Sequence, residues 1–344
     1  MTRRLVISLC LWTVAAFGQD VDARIEVAMK VSWDTTPGYV YELQSSTDLQ
    51  TWTTVDGYPI TATGTEEVYY ADTDQQRRFF RVLETSGDVP PGFILVQAGT
   101  DAGGNVTVDE DFVLSQSEVT NQQMADVMQW ARDQSPALVS ATADTVQNAS
   151  GDVRELLDLD GGACEVWFSG GTFGVTSGRE NRPCVGVTWY GAVAYCNYLS
   201  ESEGRTPAYD LTDWSLDPAA NGYRLPSDSQ WEYAARGGSG GTDTLYSGSD
   251  TVGDVAWYTV NSEGRSHDVG GKTANELGLD DMSGNVWEWC QDWHPNYVDQ
   301  ARTLRGGAWI NSAASCTVSY RDAAYPDYSN SSSGFRPLLP AAGP

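Results

Sequence analysis

Residues 305–316 read RGGAWINSAASC. Two glycines make a tight turn, Trp309 follows, and a run of small residues ends in Cys316. Glycines let backbone segments approach closely, so the stretch has the look of the edge of a site. A thiol reacts and ligates as the thiolate, which needs a base or a positive charge beside it. The neighbours Ala314, Ser315 and Thr317 supply neither. On these residues alone Cys316 reads as a small buried hydrophobe, with a surviving redox thiol as the alternative.

The chain around this stretch has 344 residues, enough for two domains. It opens with MTRRLVISLCLWTVAAFGQD: Arg3 and Arg4, then an apolar run from Leu5 to Phe17, then Ala16-Phe17-Gly18. That pattern predicts a signal peptide over 1–18, cut after Gly18. An uncleaved anchor would need about 20 apolar residues. The expected location is therefore secreted or periplasmic, with no membrane span. The mature chain carries 18 basic and 47 acidic residues, a formal charge of −29. Such a charge argues against nucleic acid and anionic lipid as partners and is compatible with calcium or cationic ligands. Five cysteines remain after cleavage, so at least one is unpaired. Two histidines cannot build a three-histidine zinc site, and no CxxC, GxSxG, P-loop or helix-opening GxGxxG is present.

Residues 24–84 alternate apolar and polar side chains in short runs, RIEVAMKVSW, YVYELQSS, EEVYYAD and RRFFRVLE, broken by turn residues. This predicts antiparallel strands in a small β-sandwich resembling a fibronectin type III or immunoglobulin-like module. TSGDVPPG (85–92) reads as a linker. Over 93–340 helices join the strands. EVTNQQMADVMQWA predicts a helix capped at Thr120, with Gln123 completing a capping box. A second helix is expected from near Trp189 to Gly204, and a third is expected to be capped by Ser227 with Gln230 and ended by Gly237.

Within 93–340 stand, in order, FILVQAGT, FVLSQSEVTNQQMADVM, PCVGVTWYGAVAYCNYLS, GYRLPSDSQWEYAARGG, NELGLDDMSGNVWEWCQDW, RGGAWI and SGFRP. Together they resemble the sulfatase-modifying-factor family, whose best-known activity is formylglycine generation. The resemblance implies an α+β, C-type-lectin-like, loop-rich domain often held by calcium. It further implies oxidation of a sulfatase cysteine by oxygen at a copper(I) ion on two cysteines after the Gly-Gly turn. Soft thiolates stabilise copper(I). Counted from Gly307, the fourth position is Asn311 and the ninth is Cys316, so the first cysteine of the pair is missing. Counted back from Arg321 the loop is about three residues short, and in either register one cysteine lies between Gly307 and Arg336. The family's closing GFRC is GFRP here, which leaves Cys196 without the partner that the resemblance implies. Cys290 reads as core, or as a disulfide partner of Cys196 or Cys316.

By the same resemblance, Asp281, the carbonyls of Gly284 and Val286, and Glu288 map onto a calcium site, whose hard oxygen donors suit the ion. Glu288 in its tryptophan-rich segment needs a cation; the alternative is an arginine such as Arg224 or Arg336. A second calcium would use Asp254 and the Val255 carbonyl. Trp309, Asn311, Ser312, Ser315, Arg321 and Trp293 are the candidate ligand-binding residues, since aromatic faces and amides suit a carbohydrate or peptide groove. Trp287 and Trp289 read as core, and His294 has no assigned role. The expected function is an exported family member without its copper pair, binding a protein or carbohydrate ligand, with structural calcium. The alternative is a formylglycine-generating oxidoreductase; a further one is an accessory protein that docks on sulfatases.

Overall fold

In a computed structural model, residues 89–160 and 162–341 are described in full, together with the backbone of seven strands within 1–88. The chain divides into two compact units, 1–91 with 342–344, and 92–341.

In the first unit, Leu5–Leu11, Val27–Asp34 and Glu66–Asp72 form one antiparallel sheet of the uncleaved chain. Val40–Ser46 centres another, with Thr53–Thr54, Ile60–Thr61 and Phe79–Ser86. The fibronectin- or immunoglobulin-like identity expected over 24–84, and the cleavage point at Gly18, lie outside the described residues.

Among its described residues the second unit carries three helices of eight residues or more and several small sheets. In chain order its principal elements begin with β1 (Phe93–Val96), β2 (Phe112–Ser115), α1 (Asn121–Asp133), β3 (Val166–Ser169) and β4 (Thr172–Val175). There follow α2 (Trp189–Ser202), α3 (Asp228–Ala235), β5 (Trp287–Trp293), β6 (Arg302–Arg305), β7 (Asp322–Ala324), β8 (Ser333–Gly334) and β9 (Leu338–Pro340).

Local chemistry explains where the helices begin. The Thr120 hydroxyl accepts from the Gln123 amide at 3.2 Å, and the Gln123 side chain accepts from the Thr120 amide at 2.8 Å. Ser227 and Gln230 make the same reciprocal pair at α3, and Gly237, at φ 78°, takes the left-handed turn beyond its end. Each box satisfies two amides that a helix start leaves without partners. Helix α1 buries Met124, Val127, Met128 and Ala131, one stripe at helical spacing. Helix α2 is buried on nearly every side, as suits a helix through the middle of a domain.

Two sheets place the functional region. Strand β2 lies between β1 and β9, which ties the C-terminal end of the unit to its beginning. Strand β5 pairs antiparallel with β6 and parallel with β8, and β6 pairs with β7. Trp231, Tyr233, Phe112, Leu114, Met282 and Cys290 fill the core between these sheets and α3. No helix among the described residues is long and apolar enough to cross a membrane.

Candidate functional site

Strand β6 ends at Arg305 and runs into Gly306 and Gly307, at φ 90° and 77°. Both occupy the left-handed region, and Gly307 is also crowded. A Cβ there would stand 2.7 Å from the Ser315 carbonyl oxygen and 2.8 Å from the Cys316 Sγ. The turn and the short helical segment Ala313–Cys316 are thus pressed together. We expect Gly307→Ala to cost about 2 kcal/mol or more, through strain plus backbone displacement, read as a lower denaturant midpoint. An unchanged midpoint would contradict the crowding.

Cys316 faces inward from this turn. It is fully buried with Tyr246, Val255 and Ala256, and Val252, Tyr258 and Ala313 pack against the same cluster. Its thiol contacts the Ser312 carbonyl at 3.7 Å. Burial pushes the thiol up to about 12. At pH 8 the thiolate fraction is then about a thousandfold below that of a free cysteine, so iodoacetamide should alkylate native Cys316 correspondingly slowly. Alkylation at the rate of an unfolded control would refute the core assignment. Cys316 is therefore a core thiol and no candidate nucleophile as placed. Asn311 accepts a hydrogen bond from the Thr259 amide through its backbone carbonyl, and its own amide donates to the Ala308 carbonyl. Its side-chain oxygen is buried without a hydrogen-bond partner. One protonated thiol and one amide oxygen are not the soft donor pair of copper(I), so copper does not fit these residues.

The remaining candidate ligand residues separate. Trp309 is half-buried, and its indole donates to the Ser331 carbonyl at 3.0 Å. Ser312 caps the short helical segment and Ser315 directly precedes Cys316 within it. Arg321 is instead an ion-pair residue: its Nε donates to Asp228 at 2.7 Å and its Nη2 to Glu232 at 2.8 Å. The same two carboxylates hold Arg305, whose Nε meets Asp228 at 2.6 Å, and Glu232 also takes Arg236. This network ties α3 to the strand that leads into the Gly-Gly turn. Trp293 also leaves the group. It pairs with Arg302 at one end of the β5–β6 ladder, while Glu288 opposes Arg305 at the end next to the glycines. There it covers one face of the Arg302 guanidinium at 3.6 Å, with Trp189 on the other at 3.8 Å. Trp287 and Trp289 are buried.

Glu288 has found an arginine. The Arg336 guanidinium donates to both its carboxylate oxygens at 2.7 Å, and the Trp231 indole adds a third bond at 2.7 Å. Both partners are 0% exposed. Glu288 is thus neutralised without an ion, and the set Asp281, Gly284, Val286 and Glu288 does not fit calcium as the resemblance implies it. Arg224 bonds Gln230 and the Leu225 carbonyl instead. Beside the pair, however, two oxygens stay unsatisfied. Asp281 accepts from the Gly270 amide through Oδ2, while its Oδ1 is buried without a partner; Glu118 Oε1 is buried likewise. Burial is the main cause that pushes Glu118 well above the usual carboxylate range, with the charges of Asp281 and Glu288 adding to it. Burial likewise lifts Asp281 to about 6. Three buried carboxylates face one buried guanidinium, and the surplus calls for protons or a cation. At the second expected site, Lys272 donates to the Gly253 carbonyl at 2.7 Å beside Asp254, so an ammonium already supplies positive charge to that loop.

A profile of the sulfatase-modifying factor enzyme 1-like domain matches residues 75–340. The chain belongs to the sulfatase-modifying-factor family. It is 37% identical over 178 residues to the chaperone protein LppX of Paenibacillus barcinonensis, covering 41% of this chain and 64% of that protein. It is 31% identical over 190 residues to the formylglycine-generating enzyme of Streptomyces coelicolor, covering 46% and 53%. It is 31% identical to the inactive C-alpha-formylglycine-generating enzyme 2 of Bos taurus, covering 45% and 49%. The chain thus spans under two-thirds of each of these relatives. Among solved structures, Treponema denticola variable protein 1 is similar with a TM-score of 0.51 at 26% identity, over 78% of this chain and 97% of that one. CarF shares the fold with a TM-score of 0.56, over 74% and 99%. These likenesses support an irregular α+β fold of the formylglycine-generating-enzyme type.

Within the family fold, Glu118, Asp228, Glu232 and Arg305 emerge as residues that the sequence reading passed over. Glu118 stood in a quoted motif, SQSEVTNQ, and Asp228 and Glu232 in another, but nothing in either told that Glu118 and Glu232 would be buried or that Asp228 would hold two arginines.

Proposed function

We propose that this protein is an exported, binding member of the sulfatase-modifying-factor family that does not generate formylglycine. The observation that carries this reading is the state of the cleft thiol: Cys316 is buried in an apolar cluster, and, counted from Gly307, Asn311 takes the position of the pair's first cysteine. Around the same turn the surface suits recognition. Ile310 and Tyr320 are exposed, with Trp309 half-buried among serines and asparagines. Rigid aromatic groups interleaved with small polar ones give contact area at low entropic cost, which favours a protein ligand over a small molecule. A relative named as a chaperone agrees with a protein client, and a relative named as inactive agrees with a family domain that works without turnover.

The test is to titrate the exported protein with copper(I) and to assay oxygen-dependent conversion of the cysteine in a sulfatase-type peptide. We expect neither tight binding nor turnover; both together would establish the oxidoreductase alternative. A pull-down against proteins of the same source, sulfatases included, with Ile310→Ala/Tyr320→Ala as control, should lose its captured partner in the double variant. Amino-terminal sequencing of secreted material tests the cleavage after Gly18. Calcium is part of the same proposal in altered form, held by Asp281 with Glu118 in place of Glu288. The two unsatisfied buried oxygens support it, since hard anionic oxygens are calcium's donors.

A further inference from the structure

Cys164 lies just before β3 and Cys184 beyond the end of β4, on either side of a hairpin. The two thiols lie within reach of each other's influence: Cys184 is the main cause that lowers the Cys164 thiol, and Cys164 the main cause that raises Cys184, whose own thiol donates to the Val185 carbonyl at 3.8 Å. No other pair of cysteines among the described residues is so joined; Cys196, Cys290 and Cys316 are each buried as free thiols. The meeting is built into the backbone. Gly186, at φ 73°, passes so close to Cys164 that a Cβ there would stand 3.0 Å from the Cys164 Cβ and 3.0 Å from the Asp158 carbonyl. Both flanks are anchored as well. The Cys184 amide donates to the Val119 carbonyl at 2.8 Å, and the Glu165 carbonyl accepts from Thr176 at 2.9 Å across the hairpin.

We propose that Cys164 and Cys184 are a dithiol–disulfide couple, oxidised by a low-molecular-weight disulfide. Exposure sets the order of events. Cys164 is half-buried and Cys184 fully buried, so Cys164 meets the reagent and Cys184 resolves. Cys164, having lost its proton, attacks one sulfur of the disulfide RSSR; that S–S bond breaks and RS⁻ leaves, taking up the proton as RSH. Cys184 then loses its proton and attacks the Cys164 sulfur of the mixed disulfide, and the second RS⁻ leaves and becomes RSH. Two protein thiols are oxidised and one RSSR is reduced to two RSH. The neighbouring Cys184 thiol also favours the first step, because it holds the Cys164 pKa down and so favours the thiolate. The product closes a loop over 164–184 that contains the β3–β4 hairpin and its exposed Trp167.

The inference stands independently of the binding reading. The test takes the full-length chain, fully reduced, and treats it with oxidised glutathione. The protein is then alkylated in denaturant, digested without reduction and analysed by mass spectrometry. We expect one crosslinked peptide pair, Cys164 with Cys184, loss of two alkylatable thiols, and a melting temperature raised by several degrees that dithiothreitol reverses. Cys184→Ser should stop at one retained glutathione on Cys164, and Cys164→Ser should leave Cys184 unmodified in the native state. Alkylation of both thiols after oxidation, or pairing of Cys164 with a different cysteine, would overturn the proposal.

Discussion

Glu288→Ala is expected to destabilise the protein by about 3–5 kcal/mol, because it strands the fully buried Arg336 guanidinium without its counter-charge. Attraction between the two ions alone is not what the figure measures, since burial costs each of them its hydration. The double variant Glu288→Leu/Arg336→Met should therefore recover much of the loss, as no charge remains buried. Recovery should be incomplete. Arg336 also donates to the carbonyls of Ser115, Gln116 and Asp280, and these lose their donors in the double variant. Denaturant unfolding of the three proteins separates the effects. A single variant no less stable than the double would show that the stranded charge is not the cost.

The other large effect concerns the carboxylates left over beside that pair. Without a cation, Asp281 has a folded pKa of about 6 against an ordinary value of 3.8. Its folded pKa is raised, so the native state holds the proton more tightly than the unfolded chain does. The contribution is fully present below about pH 4 and is lost as pH rises through 6. At 1.36 kcal/mol per unit this is roughly 3 kcal/mol, with Glu118 acting in the same direction. In chelator, the melting temperature should fall between pH 4 and pH 7, and Asp281→Asn should flatten that fall. Calcium should restore the loss at pH 7, because an ion stabilises the ionised oxygens that protons otherwise cover. Equal melting temperatures in chelator and calcium at pH 7 would exclude the ion, and a flat profile in chelator would exclude the surplus charge itself.

Both effects arise where the linear reading left alternatives open. Glu288 needed a counter-charge in any fold, and the resemblance favoured calcium over an arginine such as Arg224 or Arg336; the β5–β8 pairing instead brought Gly334 beside Glu288, two residues before Arg336. Arg321 looked like a cleft residue because it resembles the arginine that follows the family's second cysteine. Its partners Asp228 and Glu232 sit about 90 residues earlier, on a helix whose acidic residues no local signal marked as arginine partners. Trp293 was grouped with Trp309 by its tryptophan-rich neighbourhood. Strand register then put it at the far end of the ladder, since each pair along a strand adds about 3.3 Å.

What the sequence by itself determined is local or linear. The caps at Thr120 and Ser227 set where α1 and α3 start, because each box is completed within four residues. Ordered motifs over 93–340 identified the family, and counting from Gly307 showed that one of two cysteines is absent, which no fold can restore. The tertiary structure alone decided where charge and sulfur end up. It chose Arg336 for Glu288, turned Cys316 into the core and set Cys164 against Cys184, because such partners come from segments far apart in the chain. Desolvation, which makes a buried charge costly and a buried thiol inert, depends on what those segments enclose.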